Sequence, residues 1–433
     1  MYRLGKGSLR PMRPLAVLVH RWVGLALAAF LLIAGVTGAL LAWYHELDRA
    51  ISPELLQVHP PAPQAQPLDP LVLRERLQAR YTPALVHYVP LKVEQGRALR
   101  FHLDGPRDAR TGKEAELPFD EVFVNPYTGA VLGERKWGAI EHGLVNLMPF
   151  IYRLHFQLAL GTAGAYVMGL AALLWTLDCF VGIYLTLPAR RTQRGGNRGW
   201  WARWASAWRV RWSGGAYKLN LDLHRAGGLW PWIMLFVLAW SSVSFNLGEV
   251  YQPVMRSIFA TQRAEQVRAQ HQPAHAQPAM EWTQALQTGR QHMAALARSE
   301  RFSVHFERSL GYDAQRGVFR YRVGSSLDIA SEAVQTSVSF DATDGRLLGS
   351  HLPTGKAAGD TITSWLHVLH MAGLGGVPMK VFISLLGLGV GLLSVTGVYV
   401  WWKKRRARLW VAPIRRQGMG AKQKSGLWTP SPD

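Results

Sequence analysis

HRWVGLALAAFLLIAGVTGALLAWY, residues 20–44, decides the fold. From 22 to 44 it runs 23 residues without a charge, and at about 1.5 Å of rise per residue one helix of that length crosses a hydrocarbon core of about 30 Å. Three more blocks share this character. Residues 381–402 are uncharged and stop at Lys403-Lys404-Arg405-Arg406, residues 226–248 are uncharged, and residues 165–187 hold one charge, Asp178. Four spanning helices are expected: 22–44, one within 151–187 after a short interfacial helix, one within 219–248, and one within 363–402. The first apolar run is longer than a signal-peptide core and no small-x-small cleavage site follows it, so it is expected to remain as an anchor.

The net charge of +21 suggests a nucleic-acid partner until its placement is read. Residues 1–21 carry five Lys/Arg, residues 188–218 eight and residues 403–424 nine, none of these segments containing an acid. They hold the whole excess, so the spans and the two long connecting segments are close to neutral. This is the positive-inside pattern of a multi-pass membrane protein, with the N-terminus 1–21, the loop 188–218 and the tail 403–433 all cytoplasmic. Trp200, Trp201, Trp204, Trp208 and Trp212 in the basic loop read as interfacial anchors. A lipid bilayer is the expected partner and nucleic acid is not. The single cysteine, Cys179, falls inside a span, which excludes an intrachain disulfide framework, a thiolate metal cluster or a Cys-x-x-Cys-His haem attachment. A redox cofactor must therefore be held non-covalently by other ligands.

Markers in the first half recur in order in the second. His20-Arg21 with Gly24-Leu25 matches His224-Arg225 with Gly228-Leu229, and Leu154-His155 matches Leu369-His370. Gly182-Ile183-Tyr184-Leu185 stands opposite Gly397-Val398-Tyr399-Val400. Between the spans, the run from Asn125 through Gly129 to Gly133 matches that from Asp341 through Gly345 to Gly349, each reading as strand, glycine turn, strand. The expected fold is membrane α-helical: a four-helix transmembrane bundle with two extracytoplasmic α+β modules, at 45–150 and 249–362, built as a tandem duplication. The first module should hold a helix near 71–80; the second should open on a polar lead at 262–278 followed by a helix at 280–298.

Histidines at matched positions mark the span ends, His20 and His224 on the cytoplasmic side, His155 and His370 on the outer side. A lone histidine there is commonly an interfacial side chain. Two facing pairs are what haem iron takes as axial ligands from opposite sides. Two b-type haems are therefore expected, with Arg21 and Arg225 neutralising propionates. Gly24, Gly38, Gly227, Gly228, Gly387, Gly389 and Gly391 would let a flat macrocycle approach the backbone. His45 and His367 lack a repeat counterpart and are alternate ligands or supporting groups. Asp178 reads in two ways, as a proton or quinol site near the cytoplasmic haem or as a carboxylate hydrogen-bonded to a neighbouring helix.

The ordered set His20-Arg21-Trp22-Val23-Gly24-Leu25, Thr37-Gly38, Leu154-His155, Leu223-His224-Arg225, Leu369-His370, Thr396-Gly397 and Trp401-Trp402, with both glycine hairpins, resembles the PepSY-associated transmembrane family. Its members include haem-containing ferric siderophore reductases. Span three departs by reading Ser241-Ser242-Val243-Ser244 where a Thr-Gly is expected. The resemblance implies PepSY-like modules and outward electron flow from a cytoplasmic reductase or quinol to a periplasmic ferric siderophore or similar acceptor, a haem-dependent oxidoreductase chemistry. A siderophore or iron permease subunit, or a membrane-anchored PepSY sensor or peptidase-inhibitor module without redox activity, are the alternatives. No nucleotide fingerprint, hydrolytic triad, zinc motif or P-loop is present.

Overall fold

The computed structural model describes residues 12–106, 108, 113–188, 199–262 and 277–422. The start of the basic N-terminus, part of the basic loop, most of the polar lead 262–278 and the end of the tail lie outside the described residues. From the amino end run a long apolar helix α1 (Met12–Leu41), two short helices α2 (Tyr44–Ile51) and α3 (Pro53–Leu56), and α4 (Pro70–Arg80). Four strands follow, β1 (Leu85–Pro90), β2 (Leu99–Asp104), β3 (Glu121–Val124) and β4 (Val131–Arg135), then α5 (Leu147–Gln157), α6 (Gly161–Thr186) and the short α7 (Trp200–Trp204). A second series comprises α8 (Ala216–Leu229), α9 (Trp232–Asn246), α10 (Gly248–Ile258) and α11 (Trp282–Glu300). It ends with strands β5 (Val304–Asp313), β6 (Val318–Ser325), β7 (Ser337–Asp341) and β8 (Leu347–His351), then α12 (Ala358–His370) and α13 (Gly376–Lys422).

Among the described residues three helices, α1, α6 and the Gly376–Leu409 part of α13, are long and apolar enough to cross a membrane, and the chain is a membrane protein. A fourth candidate is broken. Residues 219–248, expected as one helix, form α8 and α9 with a bend of 69° between them. The break falls at Trp230-Pro231. Proline has no N–H for the carbonyl four residues back, and its ring collides with that carbonyl.

By contacts the chain divides into two units, the first made of Met1–Val36, Leu170–Trp240 and Leu385–Asp433, the second of Thr37–Gly169 and Ser241–Ser384. The second contains every strand. Where two separate modules are expected, the strands form one antiparallel sheet of eight in the order β4-β3-β2-β1-β5-β6-β7-β8. The seam is β1 against β5, with Tyr88 opposite Gly311, Val89 opposite Leu310 and Pro90 opposite Ser309. A sheet of four strands would leave the N–H and C=O groups of its edge unpaired, and joining edge to edge satisfies both rows at once.

Period-two alternation sets the two faces. On β2, Leu99, Phe101 and Leu103 are buried while Arg100 is exposed and His102 and Asp104 half-buried. The apolar face packs under α4 and α11 in one continuous core that includes Leu73, Val89, Trp282, Leu310, Phe319 and Phe340. Helix α4 starts on a capping carboxylate, Asp69 accepting from the Leu71 amide at 2.8 Å, with Pro70 in the first turn. The opposite sheet face is polar.

The two glycine turns are built alike. The Asn125 amide donates to the Ala130 carbonyl at 2.9 Å and the Asp341 amide to the Arg346 carbonyl at 2.9 Å. Asn125 Oδ1 and Asp341 Oδ1 each accept from the amide two residues on. Gly129 and Gly345 take φ of +75° and +74°, a region that side chains rarely adopt.

Candidate functional site

In the first unit α1 and α8 bring His20 and His224 together, with ring centroids 6.0 Å apart and planes at 55°. Each ring is held at Nδ1 from a neighbouring helix. His224 Nδ1 is 3.0 Å from the Leu393 carbonyl oxygen, which can only accept, so Nδ1 carries the proton and Nε2 the lone pair. Thr396 Oγ1 lies 3.3 Å from the same nitrogen. His20 Nδ1 meets both carboxylate oxygens of Asp178, at 2.9 and 3.0 Å. Asp178 thus bridges to a neighbouring helix through a hydrogen bond whose partner is a candidate ligand. Residues 178 and 393 each meet the Nδ1 of a candidate ligand, one through a side-chain carboxylate and the other through a main-chain carbonyl.

In the second unit His155 and His370 have centroids 6.2 Å apart and planes at 76°. Thr37 Oγ1 is 2.9 Å from His155 Nδ1, and Ser241 Oγ is 2.7 Å from His370 Nδ1. The serines of span three thus depart from Thr-Gly in name while keeping the hydroxyl that meets the ring. His367 is arranged differently, its Nε2 3.0 Å from Ser244 Oγ and its ring stacked on Phe245 at 4.4 Å. His45 opens into a cleft under the sheet. The histidine whose ring stands against that of His155 is His370.

A metal–imidazole bond of about 2 Å on each side places two trans imidazole centres about 6 Å apart. Both pairs stand at that separation, with Nδ1 engaged in the manner that orients a ligating imidazole. The glycines agree with close approach to the rings. A Cβ on Gly38 would lie 3.1 Å from His155 Cε1, and one on Gly397 3.0 Å from His224 Cε1. Arg21 Nε is buried without a hydrogen-bond partner, and so is Arg225 Nε. The rest of Arg225 is committed, since its Nη2 donates to Asp222 and to the Ser206 carbonyl, both at 2.9 Å. Of the glycines expected to admit a macrocycle, Gly387 and Gly391 instead face α1, where a Cβ on Gly35 would fall 2.5 Å from the Gly387 oxygen. No group of three or more His, Cys, Asp or Glu suited to a metal ion occurs among the described residues. The donor sets here are pairs.

Sequence reasoning missed a buried ion cluster. Arg135 on β4 donates through Nε to Glu121 at 2.7 Å and through Nη1 to Asp48 at 3.1 Å, with all three side chains at most 5% exposed. Arg100 Nη1 lies 3.2 Å from Glu121 Oε1, an ion-pair contact without hydrogen-bond alignment. Spacing along the chain carries no sign of this cluster, because Asp48 belongs to α2 and reaches the sheet only through the tertiary fold.

These features define a membrane protein that carries two facing histidine pairs and a broad polar-faced sheet. The family model of the PepSY-associated TM region matches residues 17–404, and the chain belongs to that family. No curated protein matches the chain.

Proposed function

We propose that the chain is a transmembrane electron conduit of a bacterial inner membrane, delivering single electrons to a periplasmic ferric chelate of the siderophore kind. The observation that carries this reading is the spacing of about 6 Å, twice repeated, between imidazoles oriented through Nδ1. His20 and His224 would hold one b-type haem and His155 and His370 another, and haem bound there would supply a one-electron carrier. The protein orients the rings through Asp178, Leu393, Thr37 and Ser241, sets Arg21 and Arg225 near the first pair for propionate charge, and excludes water with apolar helices. A cytoplasmic flavoprotein or a quinol gives the electron. Fe(III) in the chelate becomes Fe(II), and oxygen donors selected for the higher charge loosen their hold.

The span–module–span unit written twice, with a four-helix bundle as its membrane part, is supported by the mirrored strand order about the β1–β5 seam and by the twin turns. Cytoplasmic termini follow from the basic segments. A permease or an inhibitor module would leave the oriented pairs without a purpose.

The test is the dithionite-reduced difference spectrum of purified protein made with ample haem. Soret and α bands of bound b-type haem are expected, and their absence sinks the reading. Asp178→Asn keeps an acceptor oxygen for His20 but removes its charge, which makes the imidazole a poorer donor to ferric iron. Both haems should remain, with one midpoint potential raised. Two unchanged potentials would remove Asp178 from any tuning role.

A further inference from the structure

A cleft of about 710 Å³ lies between α2–α3 and the polar sheet face formed by β1, β2, β5 and β6, within the size range of small-molecule sites. Its lining holds eight Arg or Lys against five Asp or Glu. The cations converge from both halves of the chain, with Arg49 on α2, Arg100 on β2, Arg308 on β5, and Arg320 and Arg322 on β6. Most of the carboxylates already have a close polar partner. Asp104 is 2.9 Å from His87 and Asp313 3.4 Å from Arg316; Glu94 meets both Lys92 and Arg97; Asp48 is held by Arg135 from outside the lining. The remaining field is positive. Burial, and then the guanidinium groups of Arg100 and Arg97, hold the His45 imidazole below its ordinary pKa, and burial followed by Arg100 does the same to His102.

The cleft also lies beside α5, the helix that bears His155. Tyr44 lines it and stands 6.1 Å, ring to ring, from Tyr152 on α5, which is 5.5 Å from Phe156. His155 is on the same helix between those two aromatics.

Resting on the conduit reading, we infer that the electron acceptor is a polyanionic ferric chelate, an Fe(III) complex of net negative charge built on carboxylate oxygens, and that it docks in this cleft. Arginine suits that ligand because its planar fork meets carboxylates two bonds at a time. A neutral hydroxamate complex offers the cations no opposite charge. The strand register determines the recognition, since Arg100, Arg320 and Arg322 share a face only when β1 pairs with β5.

The test separates docking from reduction. Full-length protein in neutral detergent is titrated by calorimetry with gallium(III) citrate, whose metal has the charge of Fe(III) but accepts no electron. Saturable binding is expected, weakened at least about ten-fold in Arg49→Gln/Arg308→Gln and weakened by added salt, with no saturable binding of a neutral gallium tris-hydroxamate. If the double variant loses its wild-type circular dichroism, the single variants are used and each should bind more weakly than wild type. Equal affinity in the variants and wild type overturns the proposal. So does loss of gallium citrate binding in nanodiscs containing phosphatidylglycerol but not in phosphatidylcholine alone, which assigns the cleft to a lipid headgroup. Bound haem without gallium citrate binding sinks the docking and leaves the conduit standing. Gallium citrate binding without haem bands does the reverse.

Discussion

The His370→Ala variant should purify with about half the haem of the wild type, and His20→Ala likewise, because each removes one axial ligand from one of two separate pairs. The geometry sharpens the expectation. His370 faces His155 at 6.2 Å, whereas His367 directs Nε2 to Ser244, so His367→Ala should keep both haems. His45 belongs to the cleft lining, and His45→Ala should also keep both. A double His20→Ala/His370→Ala variant should lose nearly all the reduced α-band absorbance. The measurement is haem per protein by pyridine haemochrome assay beside the reduced spectrum. Full haem in His370→Ala together with loss in His367→Ala would reassign the ligand; full haem in all single variants would sink the pairing.

The second large effect falls on stability. In Arg135→Met, Asp48 and Glu121 lose the guanidinium that spans them while both stay buried. Breaking a buried ion cluster from one side typically costs about 3–5 kcal/mol, chiefly because the remaining charge is left without compensation. Burial already raises the Asp48 carboxyl above the ordinary carboxylate range, and Arg135 opposes that rise. Without the arginine the folded-state pKa rises further above that of the unfolded chain. The sign follows: protons bind the folded variant more tightly, so its deficit is smallest in acid and grows as pH increases through the unfolded carboxylate range toward 7. Unfolding monitored by tryptophan fluorescence at pH 4 and pH 7 reads this directly. A variant that melts with the wild type at pH 7 would show that the cluster contributes nothing net. Asp48→Asn/Glu121→Gln/Arg135→Met, which removes all three charges, should recover much of the loss.

What could be read from the sequence follows the range of each interaction. The apolar spans are visible because lipid imposes a long, local, uncharged run. The histidines of the two pairs stand out because markers that recur in both halves of the sequence bracket them. The bend in the third span had a local sign, Pro231, which hydropathy averaging hides. The β1–β5 seam had none, since strand edges recognise each other through main-chain groups common to all residues. The basic cleft lies between these cases. Arg100, Arg320 and Arg322 alternate visibly with apolar neighbours, so each reads as turned away from a core, but their convergence needs the seam. Ser241 looked like a loss of the Thr-Gly motif because letters were compared, and the hydroxyl was the chemistry retained.

The seam also governs how the protein is made. Residues 88–90 and 309–311 pair although more than two hundred residues separate them along the chain. A ribosome that has finished β1–β4 has made a half-sheet with an open edge, and that edge stays bare until β5 is synthesised and delivered beside it. Truncated chains ending before β5 therefore expose a sticky border to one another, and chaperone attention or rapid completion must guard that interval. The same logic lets the protein be divided: two polypeptides cut within the 188–218 loop and produced together carry complementary borders, each the other's missing strand.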